Sequence, residues 1–338
     1  MKDLKFICAQ PDDQYYLWQT HLWIESLKEI GHSDKAIVLV YTPKDREANG
    51  KWQELVTLYP EAEFFFHKDV DNVDKFFNIY IPILRPYILY QYFKLHPEMK
   101  DCAVMYCDCD VVFTKNLNIN HLIQDDINYL SDTNSYINAS YFDSKIKDVL
   151  PEKLEEYKTR DILAETTELA GITREIAEKN NLHSGGAQYL LKNIDAEFWK
   201  KVFQDALSIR KYLMSINKQF FKTEESGFQS WCADMWAVLW GVWARDQETK
   251  NAPEMEFAWA SDPIERLNRV GIFHNAGITT QNMPGYPAFY KGAYHTGKNP
   301  FNDTHLQTVL NDENSKKYCT HYYVSKMFDI NNKYNLNY

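Results

Sequence analysis

Asp108 and Asp110 stand one residue apart, just after the apolar run Cys102-Ala103-Val104-Met105-Tyr106 and just before Val111-Val112-Phe113. In extended backbone, side chains at i and i+2 share a face, so the two carboxylates can converge on one cation. Carboxylates set between two core-forming runs are costly unless a counter-charge meets them, so the pair is expected to be a site rather than a solvated strand end. Arg85, in Ile83-Leu84-Arg85-Pro86-Tyr87, holds among apolar neighbours a guanidinium whose fork of donors suits a diphosphate. Asp234, in Trp231-Cys232-Ala233-Asp234-Met235-Trp236, is a carboxylate at the start of an otherwise apolar helix, where it is either the N-cap or part of a site.

Elements must hold these groups in place. Phe6-Ile7-Cys8-Ala9 predicts a strand ended by Pro11-Asp12-Asp13, after which Tyr16, Trp23, Leu27 and Ile30 recur at helical spacing before Gly31. Residues 36–41 predict a second buried strand and residues 62–66 a third, with a helix through Trp52, Leu55 and Leu58 between them. This alternation implies a parallel or mostly parallel sheet. Residues 82–96 predict a further helix and residues 102–106 the next strand, so Asp108 and Asp110 fall at a strand's carboxyl end, where open α/β sheets gather ligands. Residues 134–181 read as a polar, helix-rich insertion. Ser184-Gly185-Gly186-Ala187-Gln188 forms a small-residue turn feeding a strand, and Asp195 caps an amphipathic helix through Phe198, Val202, Phe203, Ala206 and Leu213. After Pro284 the pattern loosens into a Gly-, Asn- and Tyr-rich stretch and a polar tail.

In this order of features the sequence resembles the nucleotide-sugar-dependent glycosyltransferases of the GT-A fold, in particular the retaining enzymes of the family 8 type. The resemblance is motif-level and covers most of residues 1–300. It implies an α/β/α sandwich around a central, mostly parallel, twisted sheet, with a Rossmann-like nucleotide-sugar-binding half over residues 1–113, an acceptor-binding half over 114–300 and a C-terminal extension over 301–338. By this resemblance Asp108 and Asp110 bind a divalent ion, Mn²⁺ or Mg²⁺, that bridges the donor's diphosphate, and His274, in Ile272-Phe273-His274-Asn275-Ala276-Gly277, completes the metal site. The family's His-Phe-x-Gly and Lys-Pro-Trp patterns are His-Asn-Ala-Gly and Lys-Gly-Ala here. By the resemblance Lys291 is the phosphate-contacting base, and the departure from the pattern leaves Lys298 or His295 as alternatives. Arg85 matches a basic position on the helix before the Asp-x-Asp strand. Gly185 and Gly186 match a turn whose backbone approaches the transferred sugar. Gln188 or Asp234 stabilises an oxocarbenium-like transition state or orients the acceptor, and Asp12 and Tyr15 match the loop that holds base and ribose.

The implied activity is metal-dependent, retaining transfer of a hexosyl or pentosyl group from a nucleoside-diphosphate sugar, a UDP-sugar first of all, to a hydroxyl of a glycan, protein, lipid-linked sugar or hydroxylated nucleobase. The 134–181 insertion is where acceptor specificity is expected. A haloacid-dehalogenase-like phosphatase, with Asp108 as nucleophile, is the rival reading, but Val111-Val112 stands where that family has Gly-Thr. A non-catalytic carbohydrate-binding module of the same fold is the other. A structural zinc site lacks paired Cys-x-x-Cys spacing, and Ala9-Gln10-Pro11-Asp12 replaces the Gly-x-Gly-x-x-Gly of a dinucleotide-binding dehydrogenase.

Composition agrees with a globular enzyme. Hydrophobic residues are 45% and charged residues 25% of the 338, which excludes a chain disordered as a whole. The net charge of -10 argues against broad nucleic-acid binding through phosphates. No apolar stretch is long enough for a bilayer span, no secretory signal is evident at the start, and six scattered cysteines suit free thiols; a cytoplasmic location is the expectation.

Overall fold

Among the described residues ten strands are threaded between helices: β1 (Leu4–Pro11), β2 (Ala36–Thr42), β3 (Glu63–Lys68), β4 (Ala103–Cys107), β5 (Val111–Phe113), β6 (Asn128–Leu130), β7 (Gln188–Lys192), β8 (Thr249–Asn251), β9 (Phe257–Trp259) and β10 (Ile272–His274); β1 to β4 and β7 fall where the sequence predicts strands. The structure, a computed structural model, describes residues 2–77, 80–223, 226–295 and 297–336. The expected class is what the chain adopts: an α/β fold whose larger sheet has seven strands, mostly parallel, with a second sheet of three. The last two residues of the expected C-terminal extension lie outside the described residues.

The chain forms two compact units, each built from separated stretches rather than from consecutive halves. One comprises Lys5–Asp69, Tyr106–Ile119 and Pro253–Tyr338; the other comprises Met1–Leu4, Val70–Met105 and Asn120–Ala252.

In the first unit β1, β2 and β3 lie side by side in parallel, with Cys8 opposite Val38 and Val38 opposite Phe64. β1 and β2 are buried on both faces, as the unbroken apolar runs of parallel strands require. Asp13 caps the helix Gln14–Glu29 by accepting from the Tyr15 amide at 2.7 Å. The three-stranded sheet belongs wholly to this unit: β10 runs antiparallel to β5 and parallel to β9. The polar tail expected after Pro284 is instead two helices, Thr304–Asn311 and Cys319–Tyr334. Cys319, Tyr323, Val324, Met327 and Ile330 recur at helical spacing and are buried, so polar residues between them mask a core-facing stripe.

In the second unit β6 pairs antiparallel with β7, Tyr129 opposite Leu190, and parallel with β8, Asn128 opposite Thr249. The helices Leu84–Leu95, Ala196–Phe220 and Ala233–Trp243 supply its apolar mass, with Trp199, Trp236 and Trp240 fully buried. Asp195 caps the longest of them as expected, accepting from the Phe198 amide at 2.9 Å. The polar insertion is helical, in short pieces at Ala139–Ser144, Leu154–Lys158, Ile162–Leu169 and Arg174–Lys179. All six cysteines are free thiols.

Candidate functional site

The first unit brings three of the expected residues to one point. β4 ends at Cys107 and the chain turns through Asp108-Cys109-Asp110, with the Val111 amide donating to the Asp108 carbonyl at 3.3 Å, before β5 begins. The antiparallel register sets His274 opposite Val111, and the Asn275 amide donates to the Asp110 carbonyl at 3.0 Å. That pairing carries the imidazole to the carboxylates: His274 Nε2 lies 3.3 Å from Asp110 Oδ1 and 3.9 Å from Asp108 Oδ2. One donor atom from each of the three lies within 4.8 Å of the others. Asp110 and His274 are buried, while the Asp108 side chain keeps 32% of its surface exposed and opens the group to solvent. Trp259 stacks on the His274 ring at 5.8 Å between centroids and 22° between planes, which fixes the ring's orientation.

Lys291 reaches the same point from the turn Lys291–Tyr294, its Nζ bonded to Asp110 Oδ2. Of the three bases the sequence left open, this one meets the carboxylates. Burial by itself would raise the Asp110 carboxyl, but the charges of Lys291 and His274 outweigh it and hold the group well below the usual carboxylate range. The same pairing raises Lys291 against a burial effect that would lower it. His295, four residues on, stacks on Tyr15 with ring centroids 3.8 Å apart. The buried Tyr15 hydroxyl is pushed far up, first by desolvation and then by the Asp110 charge.

Asp12 has a different set of partners. Its side chain has no exposed surface; Oδ1 accepts from Trp52 Nε1 at 2.7 Å, while Oδ2 accepts from Arg46 Nη1 at 3.1 Å and the Asn49 amide at 3.0 Å. Both oxygens are engaged inside the protein, which pins residues 46–52 to the end of β1.

The remaining expected residues lie in the second unit. Arg85 Nη2 and Asp234 Oδ2 form an ion pair at 2.5 Å, with both side chains largely buried. Asp234 is not an N-cap: the helix begins at Ala233, and the Asp234 amide donates to the Tyr80 hydroxyl at 3.1 Å. That hydroxyl also lies 2.9 Å from Asp234 Oδ1 and 2.8 Å from the Trp231 carbonyl. Tyr80 is thus part of the network although nothing in its local sequence marks it; its partner lies 154 positions away. Gln188 opens β7 fully buried, with its Oε1 accepting from Ser131 Oγ at 2.6 Å. A Cβ on Gly185 would fall 2.2 Å from the Ser131 carbonyl oxygen, so packing demands glycine there; one on Gly186 would meet the more yielding Tyr189 hydroxyl at 2.4 Å.

Among the described residues, Asp108, Asp110 and His274 are the group able to hold a metal ion. Two carboxylate oxygens and an imidazole nitrogen suit a first-row divalent ion such as Mn²⁺ better than Mg²⁺, whose ligands are typically all oxygen. The already depressed carboxyl of Asp110 offers the anionic form such an ion needs. The residues present fit the ion.

No protein-family model and no curated protein matches the chain. Solved structures do. The apo bifunctional glycosyltransferase WbbM is 11% identical over 96% of this chain and 52% of its own, with a TM-score of 0.44; the chain thus spans about half its length. The galactosyltransferase LgtC, in complex with donor and acceptor sugar analogues, is 15% identical over 81% of this chain and 87% of its own, with a TM-score of 0.39. Mouse xyloside xylosyltransferase 1 is 9% identical over 81% of this chain and 98% of its own, with a TM-score of 0.36. No helix among the described residues is long and apolar enough to cross a membrane.

Proposed function

We propose that the chain is a glycosyltransferase that moves a sugar from a nucleoside-diphosphate donor, a UDP-sugar first of all, to a hydroxyl acceptor with retention of configuration and with the help of a divalent metal ion. The observation that carries this reading is the convergence of Asp108, Asp110 and His274, three donor atoms within 4.8 Å, at the end of an α/β strand. It joins the sequence resemblance, in which the same three residue types in the same order hold the ion on the donor diphosphate.

In this reading Asp108, Asp110 and His274 hold the ion, and Mn²⁺ supplies charge neutralisation for the departing nucleoside diphosphate. Lys291, bonded to Asp110, contributes a second fixed positive charge against the phosphates. His274 enters as a neutral ligand whose ring is held in place by Trp259. Tyr15, assigned to the base by the sequence resemblance, is buried and stacked on His295, and so holds that ring beside the metal group. In the second unit Arg85 pairs with Asp234 and sets the orientation of its carboxylate; Asp234 or Gln188 is the group assigned, by the sequence resemblance, to stabilising an oxocarbenium-like transition state or orienting the acceptor hydroxyl.

The test is release of free nucleoside diphosphate from a panel of nucleotide sugars, with Mn²⁺ or with chelator, for the native chain and Asp110→Asn. Metal-dependent turnover of one donor, lost in the variant, is the expected result. No turnover across the panel, together with no metal-dependent nucleotide binding by calorimetry, overturns the reading.

A further inference from the structure

Asp110 gives its two oxygens to different partners. Oδ1 lies 3.3 Å from His274 Nε2, on the side of the candidate metal group, and Oδ2 accepts from Lys291 Nζ. A divalent ion held by Asp108, Asp110 and His274 therefore shares one carboxylate with the ammonium of Lys291, and two cations at that range repel. The two ends of the Lys291–Asp110 pair are unequal. The Asp110 side chain is 4% exposed and has to be met by a positive charge, whereas that of Lys291 is 28% exposed, so the ammonium reaches in from the open side, where an arriving anion can take it over. The turn that carries Lys291 is anchored. Four residues on, His295 stacks on Tyr15 with ring centroids 3.8 Å apart, and a Cβ on Gly292 would run into the Tyr290 ring, which closes over the turn. What moves is the flexible stem of the lysine, whose ammonium is a point charge that binds phosphate as well as carboxylate. The turn fixes where that charge works, not which anion it meets.

We propose that Lys291 is an exchangeable counter-cation that ties the ion to the nucleotide: it neutralises Asp110 until a nucleoside diphosphate arrives, then passes to the diphosphate and leaves Asp110 to the ion. The ion then binds weakly to the protein alone and tightly beside the nucleotide, and by reciprocity each strengthens the other by the same factor. A lysine that stayed on Asp110 throughout would weaken the ion equally with and without nucleotide, and would leave that factor untouched. The inference rests on the metal-dependent transfer reading above.

The experiment uses the full chain and equilibrium binding, with no turnover required. Mn²⁺ alone is titrated by the paramagnetic resonance of the free ion. UDP, GDP and ADP are titrated by calorimetry with saturating Mn²⁺ and with chelator, and for the nucleotide that binds best the ratio of the two affinities is the coupling factor. The native chain is compared with Lys291→Gln, which keeps a donor for Asp110 but no charge, and with Lys291→Arg, which keeps the charge; each is first shown to unfold cooperatively in urea, and Lys291→Met stands in if the Gln variant does not. Lys291→Gln is expected to bind Mn²⁺ alone about tenfold more tightly than the native chain and to lose about tenfold of the coupling factor, while Lys291→Arg keeps most of it. Mn²⁺ bound no more tightly by Lys291→Gln, a coupling factor unchanged in it, or an equal loss in Lys291→Arg each overturns the exchange and leaves the transfer reading standing. Failure of the native chain to bind any of the three nucleotides with Mn²⁺ overturns the transfer reading and the exchange with it.

Discussion

Asp110 is a buried carboxylate bonded to Lys291 and set beside His274, and its removal has two separable consequences. Without it the candidate metal site loses a ligand, so Asp110→Asn is expected to lower metal-dependent nucleoside diphosphate release by about a hundredfold or more. It also strands Lys291, whose Nζ has Asp110 as its ion-pair partner, at a cost of about 3 kcal/mol of folding stability. Adding Lys291→Met removes the stranded charge, so the double variant should regain stability in urea unfolding but not turnover. A single variant as stable as the native chain would show that the pair carries no structural weight. His21 makes a second prediction. Burial, the main cause, drives its pKa down to about 3 in the folded chain, against about 6.5 unfolded. The unfolded state therefore takes up a proton that the folded state refuses: stability is full above pH 6.5 and falls as pH drops from there toward 3. At pH 5 the loss is about 2 kcal/mol relative to pH 8, and His21→Leu should remove most of that difference in paired urea titrations.

One buried carboxylate, Glu25, ties the helix Cys319–Tyr334 to the helix Gln14–Glu29, beside the more exposed Lys326–Glu29 pair and the Trp18–Tyr323 ring contact. Glu25 accepts from the Tyr59 hydroxyl at 2.6 Å, the Tyr334 hydroxyl at 3.0 Å and Lys333 Nζ at 2.6 Å. Its side chain is 5% exposed whereas that of Lys333 is 53% exposed, so the two ends of the ion pair are unequal. Lys333→Ala should cost under about 1 kcal/mol because water replaces the ammonium. Glu25→Ala should cost about 2–3 kcal/mol because two tyrosine hydroxyls lose their acceptor. Equal costs in urea unfolding would refute this ordering. The element also shows what the sequence conceals. β1, β2 and β4 were legible because strands buried on both faces are unbroken apolar runs, and Asp108 and Asp110 stood out by interrupting one. The last helix was not, because its apolar positions lie three and four apart among polar residues in a stretch with no run to notice. Tyr80 and the Arg85–Asp234 pair were beyond local reading altogether: a bond spanning 149 positions leaves no periodic trace, and a lone carboxylate in an apolar helix reads equally well as a cap.

At the scale of the molecule, neither unit can be cut out at a single point in the sequence, because each is assembled from stretches separated by the other. This gives the terminal residues a weight that an extension over 301–338 would not have. Tyr323, fully buried, touches the rings of Trp18, Phe273 and Phe289, and Phe273 sits in β10 beside His274. Burying Tyr323, Val324, Met327 and Ile330 contributes about 2 kcal/mol each, some 8 kcal/mol together, comparable with the entire net stability of an ordinary domain. A fragment ending at residue 302 is therefore expected to bind a hydrophobic dye, to lose cooperative urea unfolding and to lose Mn²⁺ affinity, although every proposed ligand of the ion is still present in it. Tyr323→Ala in the full chain gives the graded version, about 3–5 kcal/mol of lost stability with metal binding retained below the unfolding transition. A fragment that unfolds as cooperatively as the full chain would mean that the first unit closes its core without its last helix, and that the metal group is positioned by the pairing of β5 with β10 alone.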